Sequence, residues 1–281
     1  MYACTFRTWS NASTDAPFTC QSLKWKAQHT SPLRMPAAHS RNFRDGKTLE
    51  GELTAAMHRV SALGVTYPEH YYETLVAKYQ KDGVPYPHIL TILGEPRIRG
   101  HFFYATALSR TGPYLDYGCG TGDNIRQLLR DGFPRAQITG FDLTWESIDL
   151  GFDLYRDRDA LLDLFVVNPT LPFREVTFDT CYSGSVIHVI ADDAELDEYL
   201  ANAWKVLRPG GVLFGSTLGT EDGNACGPDD HGPPRVTSRT ALIRHITAAG
   251  FAEPVLVVRP HEAHHPGDKK CVFEFCTRKG D

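Results

Sequence analysis

From about residue 113 the chain switches repeatedly between two hydrophobic periods. Short apolar or alternating runs predict seven strands: "PYLDYG", "AQITGFDL", "LFVV", "TFDTCYSGSVI", "GVLFGSTLG", "PVLVVRP" and "KCVFEFCTR". Between most of them lie "DNIRQLLRDG", "TWESIDLGFDLYRDRDALLD", "DDAELDEYLANAWKVLRPGG" and "SRTALIRHITAAGF". Their apolar residues recur every three or four positions, which predicts helices. The first of these is closed by Gly132, and the third starts on an Asp cap and stops at Pro-Gly-Gly. Strands alternating with helices predict an α/β fold, a mostly parallel sheet with helices on both faces. The last two strands are joined by a loop rather than a helix, so the last is expected antiparallel beside its predecessor.

From Lys47 to about Arg110 the period is helical, as in "TLEGELTAAMHRV" and "EHYYETLVAKYQ", and Pro85, Pro87 and Pro96 cut this region into short helices. It is read as an N-terminal helical cap over the ligand end of the sheet. Tyr67, Tyr71, Tyr72, Phe102, Phe103 and Tyr104 would either line an apolar pocket there or form the core of a helical layer. The expected organisation is a leader over 1–44, a cap over 45–110 and a ligand-binding domain over 111–281.

Composition narrows the picture. The chain has 281 residues, 42% of them hydrophobic, enough for one sizeable core with an accessory layer. A net charge of −5 announces no basic face, so a nucleic-acid partner is not expected. No apolar run approaches membrane-spanning length, and no membrane partner is expected. Seven cysteines stand at 4, 20, 119, 181, 226, 271 and 276, without CxxC spacing, which favours a reducing compartment and a cytoplasmic location. The first 44 residues hold six basic residues and one acid, Asp15. They are read as a disordered leader, with a mitochondrial transit segment as the alternative.

The chemistry centres on "YLDYGCGTGDN", Tyr114 to Asn124. Gly118, Gly120 and Gly122 follow a strand directly, where backbone comes close to a ligand. A dinucleotide fingerprint would need glycine at 123, where Asp123 stands, and a phosphate loop would need a lysine that is absent. Asp123 at the helix start would also repel a pyrophosphate. Asp116 projects from the strand end, and Asp142 closes the next strand, where an acid can accept from both hydroxyls of a ribose. A ribose-bearing ligand without phosphate and with net positive charge fits this set, as S-adenosylmethionine does.

"LDYGCGTG", "GFDL", "FVVNPTLPF", "FDTCYSGSVIHVI" and "LRPGGVLFGS" resemble, in order and spacing, the successive motifs of class I S-adenosylmethionine-dependent methyltransferases, over roughly residues 100 to 277. A narrower stretch, "DGFPRAQITGFDLTWESIDLGFDLYRDRDAL", is similar to fungal natural-product methyltransferases, including carboxyl O-methyltransferases of meroterpenoid pathways. The resemblance implies a Rossmann-like sheet of seven strands with the last antiparallel, and S-adenosylmethionine as cofactor. It implies that Asp116, Gly118, Gly120 and Gly122 surround the methionine half, with Cys119 as a small buried residue of the turn. Asp142 would bind the ribose, Leu143 would lie against the adenine, and Asn168 would accept from the adenine amine. Ser183 and Ser185 would lie close to the methyl group. Each also has a local reading: a tight turn for the glycines, a helix cap for Asp142, a turn before Pro169 for Asn168, and backbone bonds for the serines.

His188 in "SVIHVI" is the candidate general base, since its unperturbed pKa suits proton transfer near neutrality. On an extended strand it would share a face with Val186 and Ile190, which favours a purely structural role. His231, His261, His264 and His265 fall in loops without ligand spacing, and no metal is expected. The function these readings support is methyl transfer to a small, fairly apolar molecule at a carboxylate or hydroxyl oxygen. The alternative is a protein that binds S-adenosylmethionine without transferring the methyl. The acceptor would be decided by the cap and by the loop 220–236. The oligomeric state is not legible.

Overall fold

The computed structural model describes residues 47–86, 88–220, 237–260 and 270–280. The leader, the four loop histidines and nearly all of the loop 220–236 lie outside the described residues.

Strands β1 (Tyr114–Tyr117), β2 (Ile138–Asp142), β3 (Phe165–Val167), β4 (Phe178–Gly184) and β5 (Leu207–Thr220) are parallel to their neighbours. A two-residue strand, β6 (Thr237–Ser238), adds to the end of β5. β7 (Val255–Pro260) and β8 (Lys270–Arg278) complete a sheet in the order β3-β2-β1-β4-β5-β8-β7. Only β8 runs antiparallel, between β5 and β7. This agrees with the expected seven strands, with β6 as an addition. The sequence of the last two strands explains their order. β8 buries both faces, with Phe273 and Phe275 wholly enclosed and Cys276 on the other side. β7 leaves Val255 61% exposed, which suits an edge.

Helices cover both faces. On one, α8 (Asp193–Val206) and α9 (Arg239–Ala248) pack Leu196, Leu200, Leu242 and Ile246 against Leu115, Cys181 and Leu213. On the other, α4 (Tyr104–Ser109), α5 (Asp123–Arg130) and α6 (Glu146–Tyr155) pack Tyr104, Ile125, Leu128, Ile148 and Phe152 against Tyr114, Ile138 and Phe214. Asp192 caps α8 by accepting from Glu195 N–H at 2.9 Å, as its position in the sequence predicts.

Three sequence expectations are corrected. The stretch 144–163 is not one helix. α6 ends at Tyr155, Arg156 turns left-handed with φ 55°, and the short α7 (Arg158–Leu161) follows. The break lets Asp157 reach Arg126, described below. The fourth strand stops at Gly184 rather than Ile187, because Ser185 is left-handed with φ 61° while its N–H is held by Ser216 O at 2.9 Å. A 3-10 turn, Ile187–Val189, then carries His188, so the strand-face argument for that residue does not apply.

The third correction concerns the helical cap. α1 (Leu49–Ser61), α2 (Tyr71–Asp82) and α3 (Ile89–Ile92) bury their apolar stripe against Leu150, Leu154 and Tyr155, the outward face of α6. α6 is therefore buried on two sides, by Ile148 and Phe152 toward the sheet and by Leu150, Leu154 and Tyr155 toward this layer, with Asp149 and Asp153 left at its edges. Tyr67 Oη donates to Leu154 O at 2.6 Å and Tyr71 Oη to Asp153 O at 2.8 Å, so these phenols anchor the layer rather than line a pocket. Tyr72 Oη accepts from Thr54 Oγ1 at 3.0 Å. Phe103 packs against Phe214 with tilted rings whose centres are 5.2 Å apart, and Tyr104 is buried, which places both in the core. The crossing segment, residues 94–101, is tied to the strand ends and the start of α5 through Arg97 on Ser185 and Gly94 on Asp123, and Tyr86 of the same layer lies within the field of Arg97, Asp123 and Asp142.

Candidate functional site

The glycine turn is pinned to β2. Phe141 O accepts from Gly118 N–H at 2.9 Å and Cys119 N–H at 3.0 Å, and Gly122 N–H donates to Cys119 O at 2.9 Å. All three glycines are left-handed, with φ of 83°, 54° and 76°. Side chains at the outer two would collide with the protein. A Cβ on Gly118 would come within 2.4 Å of Val186 Cγ2, and one on Gly122 within 2.6 Å of Phe165 Cζ. At Gly120 a Cβ would meet nothing within 4 Å, so this glycine faces open space where a ligand can approach backbone. Cys119 is buried, and burial raises its thiol well above the ordinary range, which leaves it unreactive.

Behind the turn, Arg126 of α5 is enclosed. Its Nε and Nη2 donate to the two Asp157 carboxylate oxygens at 2.7 Å each, and Nη1 donates to Thr121 O at 2.5 Å. Its guanidinium lies 4.1 Å from the Tyr155 ring centre. Asp123, which in the sequence argued against a phosphate, is a structural junction. Its Oδ1 accepts from Gly94 N–H at 2.7 Å and from Tyr155 Oη at 2.5 Å, and its Oδ2 accepts from Thr121 Oγ1. Turn, α6 and the crossing segment meet on this one carboxylate.

Two acids stand beside the turn on adjacent strands, Asp142 half-buried and Asp116 wholly buried. Asp142 Oδ2 accepts from Gly120 N–H and Oδ1 from Leu143 N–H, both at 2.8 Å. Each oxygen keeps lone pairs for a further donor, such as a ribose hydroxyl. Burial is the largest cause holding its pKa above the ordinary carboxylate value, opposed by these N–H donors. Asp116 is wholly buried, and neither of its carboxylate oxygens has a hydrogen-bond partner. Its pKa is pushed up to about 8, first by burial, then by the charges of Asp142 and Asp123, with only the nearby Asn124 side chain opposing. A buried, unpaired carboxylate beside a second acid calls for a cation. The residues present therefore fit a cationic nucleoside.

The remaining sequence candidates divide. Asn168 sits beside Asp142, whose carbonyl accepts Asn168 N–H at 3.3 Å. Its Nδ2 donates locally to Thr170 O at 2.5 Å, which leaves Oδ1 to accept from an adenine amine. Leu143 packs at the edge of the core next to Asp142. Ser185 is at the opening, where its Oγ accepts from Arg97 Nη1 at 2.6 Å. Ser183 is a correction: its hydroxyl is wholly buried and accepts from Tyr199 Oη at 2.8 Å, on the α8 side of the sheet. Strand alternation places it with Cys181 in the core, away from the opening. His188 is half-buried on its 3-10 turn, beyond the strand end.

Two residues at the strand ends escaped the sequence reading, Arg97 and His101, both in the crossing segment. His101 is buried, its Nδ1 accepts from Phe103 N–H at 3.1 Å, and Nε2–H therefore donates to Gly215 O at 2.9 Å. Burial lowers its pKa, so it stays neutral, and with both nitrogens engaged it cannot serve as a base. Nothing in the local period of "GEPRIRGHFF" distinguishes either residue from the other polar positions of a helical cap.

Residues 115–215 match a family described as a methyltransferase domain. O-methyltransferase atr3 of Stereocaulon alpinum is 30% identical over 188 residues, 60% of this chain and 51% of that protein. Asnovolin E/Chermesin D methyltransferase nvfJ of Aspergillus novofumigatus is 30% identical over 123 residues, 40% of this chain and 43% of that protein. The matched part spans about half or less of these relatives. Among solved structures, a SAM-dependent methyltransferase of Methanosarcina mazei superposes with a TM-score of 0.51 at 18% identity, over 63% of this chain and 96% of its own. The [4+2]-cyclase SpnF superposes with a TM-score of 0.51 at 20% identity, over 65% of this chain and 81% of its own. Among the described residues no helix is long and apolar enough to cross a membrane. A Rossmann-like sheet, a left-handed glycine turn between two acids and the match over 115–215 converge on one reading of this segment: residues 115–215 resemble a methyltransferase domain on a Rossmann-like sheet.

Proposed function

We propose that the protein transfers a methyl group from S-adenosylmethionine to an oxygen of a small, fairly apolar molecule. The carrying observation is the pair Asp116 and Asp142 around the turn, the first buried without a partner. Asp116 and the turn would hold the amino-acid half, Asp142 the ribose, and Leu143 with Asn168 the adenine. When bound, the cofactor supplies an electrophilic methyl on a sulfonium sulfur. The protein's part is to align the acceptor with it and exclude water. A carboxylate acceptor needs no base, which suits a site where His101 is already engaged on both nitrogens. The relatives named as O-methyltransferases support transfer to oxygen.

The test has two arms. Calorimetry should show S-adenosylhomocysteine binding to the folded protein. Incubation with methyl-labelled S-adenosylmethionine and candidate acids and phenols should move label into an organic-extractable product, released by alkali if it is an ester. Cofactor binding without transfer to any acceptor would favour a role for the site other than methylation.

Asp116 makes the binding pH-dependent. Its pKa of about 8 in the free protein lies above the ordinary 3.8, so the protonated form is the one the fold favours. Its contribution to stability is full below the ordinary value and is lost as pH rises through about 8. A ligand ammonium requires the ionised form, so binding near neutrality should release up to about one proton. Affinity for S-adenosylhomocysteine should rise by up to roughly tenfold per pH unit between about 6 and 8. Calorimetry in buffers of different ionisation enthalpy measures the proton count. Asp116→Asn should abolish the release, and an unchanged count would remove Asp116 from the role.

A further inference from the structure

The crossing segment carries a charge, Arg97, that forms no ion pair among the described residues. Gly94 N–H on Asp123 and Ile98 N–H on Asn124 Oδ1, at 3.4 Å, hold the segment over the start of α5, and Arg97 lies between these two tethers. Its Nη1 donates to the Ser185 hydroxyl at 2.6 Å, and among the described residues no carboxylate pairs with it. Arg126, Arg135 and Arg208 are matched with Asp157, Asp163 and Asp179, and Arg110 and Arg156 donate to backbone carbonyls, whereas Arg97 donates to a hydroxyl at the strand ends. Arg97 is also within the field of the cleft acids. The Tyr182 phenol feels both Arg97 and Asp116, and the Tyr86 phenol feels both Arg97 and Asp142.

Ser185 completes the arrangement. Its left-handed backbone and its N–H bond to Ser216 O fix where the hydroxyl stands. Because Oγ accepts from Arg97, its own O–H remains to donate. A guanidinium fork and a hydroxyl proton thus converge beside three acids, Asp116, Asp123 and Asp142. Any ligand carrying a carboxylate would be repelled by those acids unless a cation offset them. We propose that Arg97 and Ser185 form a carboxylate-binding subsite at the mouth of the cleft. The fork suits a carboxylate bidentately, which a lysine would not. The subsite rests on the function proposed above. Its carboxylate has two sources, the amino-acid half of the methyl donor and an acidic acceptor.

The experiment separates them. Calorimetry compares native protein, Arg97→Gln and Arg97→Lys with S-adenosylhomocysteine and with 5′-methylthioadenosine, which keeps the nucleoside and lacks the amino acid. The S-adenosylhomocysteine-loaded proteins are then titrated with decanoate and with decanol, its uncharged counterpart. A loss of roughly tenfold or more for S-adenosylhomocysteine in Arg97→Gln, with 5′-methylthioadenosine unchanged, places the donor's carboxylate on Arg97. Unchanged S-adenosylhomocysteine with loss of a decanoate preference places the acceptor's carboxylate there. In either case Arg97→Lys should fall between the two. Equal losses for both nucleosides, or no change in either pair of ligands, overturns the subsite. Failure of the native protein to bind either nucleoside overturns the proposed function, and the subsite with it. Arg97 is exposed, so its replacement should leave the thermal midpoint unchanged and the comparison clean.

Discussion

Asp142→Ala is expected to cost the protein its cofactor affinity while leaving its stability intact. Two ribose hydroxyls would lose a charged acceptor, each hydrogen bond contributing about 1.5–3 kcal/mol. Together these correspond to a loss of roughly 10²- to 10⁴-fold in the dissociation constant for S-adenosylhomocysteine. The same carboxylate holds Gly120 N–H and Leu143 N–H, so the turn also loses its tie. Stability should not follow affinity down, because burial disfavours the ionised form of this acid, as its raised pKa shows. A fall in binding at an unchanged thermal midpoint is the signature of a group placed for a ligand rather than for the fold. Asp142→Asn keeps one oxygen acceptor and should lie between the two proteins. Calorimetry and thermal denaturation on the same samples read both quantities, and equal affinity in native protein and Asp142→Ala would remove the ribose role.

Arg126→Met should do the reverse, lowering stability first. Arg126 is 4% exposed and its partner Asp157 25%. Removing one member of a buried pair costs about 3–5 kcal/mol, since the other charge is left unmatched. Asp157 can partly rehydrate, which puts the loss toward the lower end. In a domain of this size that corresponds to a fall of roughly 6–12 °C in thermal midpoint. Thr121 O and the Tyr155 ring lose a partner as well, and both border the glycine turn. Adding Asp157→Leu to Arg126→Met should recover part of the loss, because two apolar residues replace the pair without an orphaned charge. An unchanged midpoint in Arg126→Met would show that the turn is held by the packing of α6 alone. That packing is close: a Cβ on Gly151 would stand 2.1 Å from Thr121 O.

The sequence by itself determined the fold class, the strands and the glycine turn. The reason is that period and turn chemistry are local. A strand such as "KCVFEFCTR" carries its alternation, and "GCGTGD" carries its left-handed turn, whatever surrounds them. The positions of Asp116 and Asp142 beside that turn were legible for the same reason, one a residue before the end of β1 and the other closing β2.

Only the tertiary structure decided which polar groups remain available to a ligand. Ser183 and Ser185 are two residues apart at one strand end, yet Tyr199 encloses the first and a left-handed backbone at the second turns it to Arg97. Asp123 reads as a helix-start acid, but Gly94 and Tyr155 claim it from 29 and 32 residues away. The α1–α3 layer has the same helical period whether it lies over the strand ends or, as found, on α6. Arg97 and His101 lie in one segment without a distinctive pattern, yet among the described residues one keeps its charge without an ion pair while the other is held neutral between Phe103 N–H and Gly215 O. A hydrogen bond is satisfied by whichever group long-range packing brings within about 3 Å, and no local period records that distance.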